Sequence, residues 1–348
     1  MTSRYDVDRD LLSDLLDGEP GYRVDQVWDG IYQRGAEPAE LTNLPKSLRS
    51  ALTELLPPAL ELVNESVSDG GRTIKWLWEL GDGARIETVL IHYPKRATVC
   101  VSSQAGCAMA CGFCATGQAG FERHLTVGEI IEQVIRARVR AAERWGSDRS
   151  INVVFMGMGE PLANLDRVWT AVERLHNDVG IGARHLTIST VGLVPGIRQL
   201  TDLALPVNLA VSLHAANDRL RDELVPINKR WPLDELILSL QQHREIKGRR
   251  VSFEWAMIDG VNDRPCDAHE LADLAARARA HVNLIPLNPT PGWPTVGSPR
   301  RRVELFAAEL GRLGVNATVR ANRGTDIDAA CGQLRASHQT TPVTFGDR

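Results

Sequence analysis

The sequence predicts an α/β protein built on a partial (β/α)6 barrel, open along one side, with a small N-terminal helical domain and a short antiparallel β extension before it. Three observations carry this expectation. Apolar residues recur at helical spacing over the first 56 positions, then fall into strand-like runs separated by Gly and Asp, and then alternate between strand runs and helical stripes. Six βα units rather than eight leave a barrel unclosed; a flat, doubly wound sheet is the competing geometry.

Leu11, Leu12, Leu15 and Leu16 form the first helical stripe, which Gly18-Glu19-Pro20-Gly21 ends. Val24, Val27, Trp28 and Ile31 form the second, and 44–56 forms a third that Pro57-Pro58 closes. Segments 60–67, 73–80 and 84–91 are rich in Val, Ile, Leu and Trp. Asp69-Gly70-Gly71 and Gly81-Asp82-Gly83 between them favour hairpin turns, so a meander is expected, running into a strand at 97–102. Further strands are expected at 151–156, 185–190, 206–213, 251–257 and 282–286, with helices at 127–145, 164–177, 232–247 and 266–280. Thr126 and Glu129 open the first of these helices at capping-box spacing. Such alternation implies a parallel sheet with right-handed crossovers. A helix at 299–313 and a strand near 315–320 precede the tail. The expected organisation is a helical accessory domain at 1–58, a meander at 59–92, a core at 93–326 and a C-terminal segment at 327–348.

The chain has 348 residues, 44 acidic and 40 basic, for a formal charge of −4. A globally basic nucleic-acid binder is thereby excluded, while a local basic patch is not. Hydrophobic content of 43% and charged content of 24% are those of an ordinary soluble globular protein. No apolar run approaches the roughly 18 residues of a membrane helix. Met1-Thr2-Ser3-Arg4-Tyr5-Asp6-Val7-Asp8 has no apolar stretch, so neither a secretory signal nor a membrane location is expected. Six cysteines are too few for a disulfide scaffold. Three of them crowd together, which points to metal binding in a reducing cytoplasm.

Those three are Cys107, Cys111 and Cys114, spaced C-x3-C-x2-C just after the first strand of the alternating region. Three thiolates on one short loop can hold three corners of a cubane iron–sulfur cluster and leave the fourth iron open to a ligand. The competing arrangement is a closed zinc site with a fourth ligand from His92, His124 or elsewhere. Gly157-Met158-Gly159-Glu160-Pro161 follows the second strand. Alone, Gly159-Glu160-Pro161 reads as a turn, as Gly18-Glu19-Pro20 does. Ser189 ends the third strand, Ser212-Leu213-His214 ends the fourth, and Asn288 follows the sixth. Each by itself is a cap or turn residue. Together they mark the carboxyl edge at which parallel α/β folds bind ligands.

Of the other cysteines, Cys100 lies on a strand and reads as a small core hydrophobe. Cys331 lies among small residues in a loop. Cys266 begins a helix after Arg264-Pro265 and is assigned no chemical role. Glu87, in Arg85-Ile86-Glu87-Thr88-Val89, reads by itself as an exposed strand carboxylate.

The cysteine spacing matches the signature of the radical S-adenosylmethionine superfamily, and Gly159-Glu160-Pro161 resembles its segment for the methionyl amino group. Three stretches narrow the resemblance: Ala97-Thr98-Val99-Cys100-Val101-Ser102-Ser103-Gln104-Ala105-Gly106-Cys107, Pro286-Leu287-Asn288-Pro289, and Arg323-Gly324-Thr325-Asp326-Ile327-Asp328-Ala329-Ala330-Cys331-Gly332-Gln333-Leu334. They are similar to the RlmN family over roughly 20–340. The related Cfr-type enzymes, which methylate C8 of the same adenosine, share the cluster and both lone cysteines. The resemblance implies a radical methyltransferase acting on C2 of an adenosine in 23S rRNA and tRNA. It implies a 4Fe-4S cluster on Cys107, Cys111 and Cys114, and S-adenosyl-L-methionine, two molecules per turnover, bound by Gly159, Glu160, Ser189, Ser212, Leu213, His214 and Asn288.

By the same resemblance Cys331 carries the methyl group, Cys100 resolves the RNA–protein adduct through a transient disulfide, and Glu87 is the base that takes the C2 proton. A reductant such as flavodoxin with its reductase is a further expected partner, and a cytoplasmic monomer the expected state. Candidate phosphate contacts are Arg136, Arg138, Arg140 and Arg144; Lys247, Arg249 and Arg250; Arg300, Arg301 and Arg302; and Arg320 with Arg323. A different class, a non-catalytic iron–sulfur or zinc protein that binds RNA and senses redox state, would explain the cysteines. It would not explain the polar residues gathered at one strand edge.

Overall fold

The computed structural model describes residues 3–147, 149–290, 292–294 and 296–336. Of the expected C-terminal segment, 337–348 lie outside the described residues.

The N-terminal part contains helices α1 (Arg9–Leu15), α2 (Tyr22–Tyr32) and α3 (Lys46–Leu55), matching the three apolar stripes. Strands β1 (Leu60–Ser68), β2 (Thr73–Leu80) and β3 (Arg85–Tyr93) form the antiparallel meander, and β3 pairs antiparallel with β4 (Arg96–Cys100). A small hairpin, β5 (Gln104–Gly106) and β6 (Phe121–His124), brackets the cysteine loop and the short helix α4 (Ala115–Ala119).

The remaining elements alternate. They are α5 (Val127–Trp145), β7 (Ser150–Phe155), α6 (Leu165–Asn177), β8 (Leu186–Thr190), α7 (Val194–Asp202), β9 (Asn208–Ser212), α8 (Asp218–Leu224), α9 (Leu233–Lys247), β10 (Val251–Met257), α10 (Pro265–Ala278), β11 (His281–Pro286), α11 (Arg300–Arg312) and β12 (Ala317–Val319).

The sheet order is β1-β2-β3-β4-β7-β8-β9-β10-β11-β12, and every pair from β4 onward is parallel. This monotonic order decides between the two geometries. A doubly wound sheet reverses strand order at a switch point and carries helices on both faces. Here each crossover steps to the next strand in the same direction. Right-handed crossovers then keep the helices on one face, as in a barrel. β1 and β12 do not pair, so the barrel is incomplete.

Six βα units are present, and β12 adds a seventh parallel strand. The meander continues the same sheet. Helix α7 and the short α8 and α4 are absent from the sequence-based reading. Val194-Pro195-Gly196 opens α7 with two residues that resemble a turn, although Pro is well suited to a helix's first turn.

Helix α5 shows why these residues form this element. Thr126 Oγ1 accepts from Glu129 N at 3.2 Å, and Glu129 Oε2 accepts from Thr126 N at 2.8 Å, completing the capping box. Asp6 accepts from Gly128 N at 2.7 Å, placing a carboxylate at the helix N-terminus. The N-terminal helices dock through Trp28, stacked on Tyr32 at 4.5 Å and donating to Asp178 at 3.0 Å. One apolar core runs from Tyr5 to Leu334 and joins all these parts.

Candidate active site

The inner face of the sheet encloses a cavity of about 390 Å³. Strand alternation decides what lines it. Val89 and Ile91 of β3, Cys100 of β4, Val154 of β7, Ser189 of β8, Ser212 of β9, Glu254 of β10 and Ile285 of β11 all face inward. Cys107, Cys111 and Cys114 lie at one side, and Asn288 and Cys331 also reach the cavity.

The cysteine loop is shaped by backbone bonds: Cys107 N to Gly120 O at 2.7 Å and Cys114 N to Cys111 O at 3.1 Å. Burial pushes the Cys107 thiol up to about 12. Burial, then the neighbouring Cys114 and Cys107, raises Cys111 further. Thiols in such surroundings ionise when a metal centre takes them as ligands.

Among the described residues, no three His, Cys, Asp or Glu side chains converge on a point that a single metal ion could occupy. A tetrahedral zinc requires donors around one centre. In a cubane each cysteine ligates a different iron, which spaces the sulfurs further apart. Three protein thiols on one cavity wall fit a cubane cluster with one iron left open, whereas a closed structural zinc site takes four protein ligands.

Glu160 is buried at 2% exposure and lines the cavity. Its carboxylate accepts from Val191 N at 2.9 Å and Leu162 N at 3.1 Å, and desolvation lifts it to about 7. Gly159 has a φ of +101°, and a Cβ there would lie 2.6 Å from the Gln104 side chain, so glycine is required. Gln104 in turn accepts from Glu160 N at 2.8 Å.

His214 sits just beyond β9 with a φ of +59°. Its Nδ1 accepts from Ala256 N at 3.0 Å, so the proton of the neutral ring is on Nε2. Burial, then the charge of Arg221, pushes it down to about 3. Ser189 donates its hydroxyl to Phe155 O. Asn288 donates to Cys331 O at 3.2 Å.

Cys100 and Cys331 are both free thiols on this cavity. Burial first, and Cys331 second, raises Cys100. Cys331 is exposed to the cavity yet enclosed by protein. Desolvation raises it, Glu254 adds to the rise, and Arg320 opposes it.

Two expected site residues lie elsewhere. Leu213 does not line the cavity. It alternates with Ser212 and His214 and packs into the core, leaving its backbone to bond Glu254 O at 3.0 Å. Glu87 is no exposed strand carboxylate: it is buried at 2% exposure, on the face of β3 that carries Val89 and Ile91, and is covered by the backbone at 335–336. Lys75 Nζ meets Glu87 Oε1 at 2.7 Å, and its Oε2 accepts from Arg335 N at 2.9 Å and Ala336 N at 3.3 Å.

Most of the candidate phosphate contacts already have partners within the chain, some of them on its surface. Arg136 pairs with Glu132 at 2.6 Å, Arg138 donates to Tyr32 O and Gln33 O at 2.7 Å, Arg140 pairs with Glu65 at 2.9 Å, and Arg144 donates to Gly71 O at 3.1 Å. These four tie α5 to the meander and the N-terminal helices. Lys247 and Arg249 bond the carbonyls of Leu203 and Pro206. Arg300 pairs with Glu304 and Arg302 with Asp263. Arg320 and Arg323 line the cavity. Cys266 is exposed on α10, away from this site.

Glu254, Gln104 and Asn322 belong to the site and were not picked out from the sequence. A lone carboxylate in the apolar run Val251–Met257 was a usable signal for the first. The other two carry no local signal.

The radical SAM superfamily model matches residues 101–274. The “Probable dual-specificity RNA methyltransferase RlmN” of Parafrankia sp. is 51% identical over 335 residues, covering 92% of this chain and 87% of that protein. Its namesake from Chloroflexus aurantiacus is 47% identical over 348 residues, covering 96% and 93%. The crystal structure of a radical SAM methyltransferase from Sphaerobacter thermophilus superposes with a TM-score of 0.93 at 47% identity, covering 97% of this chain and all of that one. With this identity sustained over nearly the whole length, the chain belongs to the RlmN family of dual-specificity RNA methyltransferases, within the radical SAM superfamily.

Proposed function

We propose that this protein methylates C2 of an adenosine in 23S rRNA and in tRNA, with Cys331 as methyl carrier and Cys100 as the resolving thiol. The observation that carries the reading is the meeting of these two thiols, far apart in sequence, on the cavity that also holds Cys107, Cys111 and Cys114. C2 of adenine is an sp2 carbon with no nucleophilic character, so a radical route is required. Cys107, Cys111 and Cys114 would hold a 4Fe-4S cluster, which would supply reductive cleavage of S-adenosylmethionine to a 5′-deoxyadenosyl radical.

The chain's own groups do the rest. Glu160, aligned by two backbone amides, offers its carboxylate to the methionyl ammonium. Gly159, Ser189, Ser212, His214 and Asn288 surround the space for the nucleoside; Leu213 contributes through its backbone. The Cys331 thiol loses its proton and attacks the methyl carbon of one S-adenosylmethionine, taking the methyl group and releasing S-adenosylhomocysteine. After hydrogen abstraction by way of a second molecule, the Cys331-bound methylene radical would add to C2; the adduct must then give one electron back to the one-electron carrier that started the cycle, and a proton from water completes the methyl group when the carbon–sulfur bond breaks. Glu87 takes the C2 proton, which requires the segment at 335–336 to move off its carboxylate. Cys100 then attacks the Cys331 sulfur, frees the methylated base and forms a disulfide that an external reductant reopens. Flavodoxin with its reductase fits that need, in a cytoplasmic monomer.

The test is anaerobic reconstitution with dithionite, S-adenosylmethionine and defined RNA, followed by nucleoside digestion. The expected products are 2-methyladenosine and 5′-deoxyadenosine. Formation of 8-methyladenosine would move the chemistry to C8. Absence of 5′-deoxyadenosine would remove the radical reading altogether and favour a redox-sensing RNA-binding protein.

A further inference from the structure

Arg221, on α8, is fully buried at 0% exposure and has no part in the steps above. Its guanidinium donates to Val191 O at 2.6 Å, to Asn228 Oδ1 at 2.8 Å and to Leu213 O at 3.2 Å. Every one of these acceptors is neutral. The nearby carboxylates of Asp218 and Asp222 are bound instead by Asn228 Nδ2, at 2.9 and 2.7 Å. Asn228 therefore stands between the cation and its natural counterions. A buried charge with only dipoles around it is costly unless something further compensates it.

What lies close by is the cysteine loop. Leu220 and Leu224, flanking Arg221 on α8, and Val225 just after it share one apolar cluster with Cys111, Phe113 and Cys114. The fork of Arg221 thus reaches the carboxyl ends of β8 and β9, while its helix packs against the loop.

We propose that Arg221 is a fixed countercharge for the iron–sulfur cluster, placed behind Cys111 to make the added electron easier to hold. The proposal rests on the cluster reading above. The net charge of a cluster and its electrostatic surroundings are what set its potential. One-electron reduction by an external donor makes the thiolate-bound cluster more negative by one charge. A rigid cation at short range in a low dielectric stabilises that reduced form more than the oxidised one.

Burial lowers Arg221 only to about 10, and an arginine guanidinium keeps its proton at neutral pH. These neutral acceptors, with Ser212 O at 3.5 Å as a fourth, hold it in place without neutralising it. Two direct carboxylate partners would have cancelled the effect. Arg221 is a positioning residue in this scheme: it acts through the cluster and touches no substrate.

The experiment uses the full-length protein, reconstituted anaerobically, with iron and sulfide content measured and the cluster titrated against redox mediators by electron paramagnetic resonance. R221K keeps the charge and loses the fork. R221Q loses the charge. N228D keeps the arginine and sets a carboxylate against it. R221K is expected to titrate close to wild type. R221Q and N228D are expected to shift to lower potential, with the reduced-to-oxidised ratio at the wild-type midpoint falling about tenfold, or about 59 mV for a one-electron couple.

Unchanged potentials in loaded R221Q and N228D would overturn the proposal. If R221Q holds no iron, N228D decides. Iron loss in both of these with normal loading of R221K would support the need for charge; loss in R221K as well would show a purely structural fork and overturn it. A wild-type protein that binds no cluster would overturn the cluster reading itself, a separate and recognisable failure.

Discussion

Asn288 donates its side-chain amide to the carbonyl oxygen of Cys331 at 3.2 Å while accepting from Asn322 Nδ2 at 2.7 Å. The residue that follows β11 at the ligand edge of the sheet thus holds the loop of the proposed methyl carrier. Thr116 and Ala115, next to the cysteine loop, bind the same segment through Leu334 O and Gly332 O. Carrier and cluster loop are therefore tied directly to each other.

Removing the Asn288 amide should loosen that loop. A hydrogen bond of this kind contributes about 1 kcal/mol, so N288A is expected to lower the turnover rate by roughly five- to tenfold. Mass spectrometry of Cys331 should show a parallel fall in its S-methylated fraction. Turnover and methylation equal to wild type would deny Asn288 this role.

Lys75 and Glu87 form a buried ion pair beneath the segment at 335–336. Deleting one partner strands the other charge, so K75M is expected to cost about 3 kcal/mol in urea unfolding. K75M/E87Q should recover most of that loss. A K75M protein as stable as wild type would mean that the two amides alone satisfy the carboxylate.

Cys100 faces the cavity beside Cys331, and only a thiol there can resolve the proposed adduct. C100A is expected to accumulate a covalent RNA–protein conjugate on denaturing gels, with turnover lowered at least 100-fold, whereas C331A forms none. Multiple turnover by C100A would contradict its assigned role.

Acid stability should be set in part by His243. Its ring is 1% exposed, its Nδ1 lies 2.9 Å from Thr201 Oγ1, and burial, then Lys247, pushes it down to about 4. The folded state therefore disfavours the protonated ring, whose unfolded value is about 6.5. The stabilisation is present above about pH 6.5 and is lost as pH falls towards 4, on the order of 3 kcal/mol. Buried His214 acts in the same direction. H243Q should flatten the fall in unfolding free energy across this window; an unchanged slope would exclude His243 as its source.

Arg320 and Arg323 line the cavity, whereas the arginines of α5 are occupied by Glu132, Glu65 and backbone carbonyls. R320A and R323A are each expected to weaken RNA binding and to reduce the slope of log affinity against log salt by about 0.7–1. R138A should instead lower stability and leave the salt slope as it is. A slope reduced by R138A and untouched by R320A would reverse that assignment.

Fold class, the six βα units and the cluster spacing were legible in the sequence because each is a local property. Helical and strand periods are set by neighbours within a few residues, and Cys107, Cys111 and Cys114 sit on one loop. Thr126 and Glu129 announced the start of α5 for the same reason. The family likeness also pointed to Cys100 and Cys331, but local pattern alone makes one a core residue and the other a loop residue.

Their meeting on one cavity was decided by the tertiary structure. So were the turning of Leu213 into the core, the sealing of Glu87 by Lys75 and the backbone of 335–336, and the commitment of the α5 arginines to the meander. The burial of Arg221, on a helix that packs against the cysteine loop, belongs with them. Each depends on which strand face points inward and on hydrogen bonds that span many elements. Charge and residue type are written along the chain, but whether a charge meets water, a carboxylate or a carbonyl is fixed only when the sheet closes around its cavity.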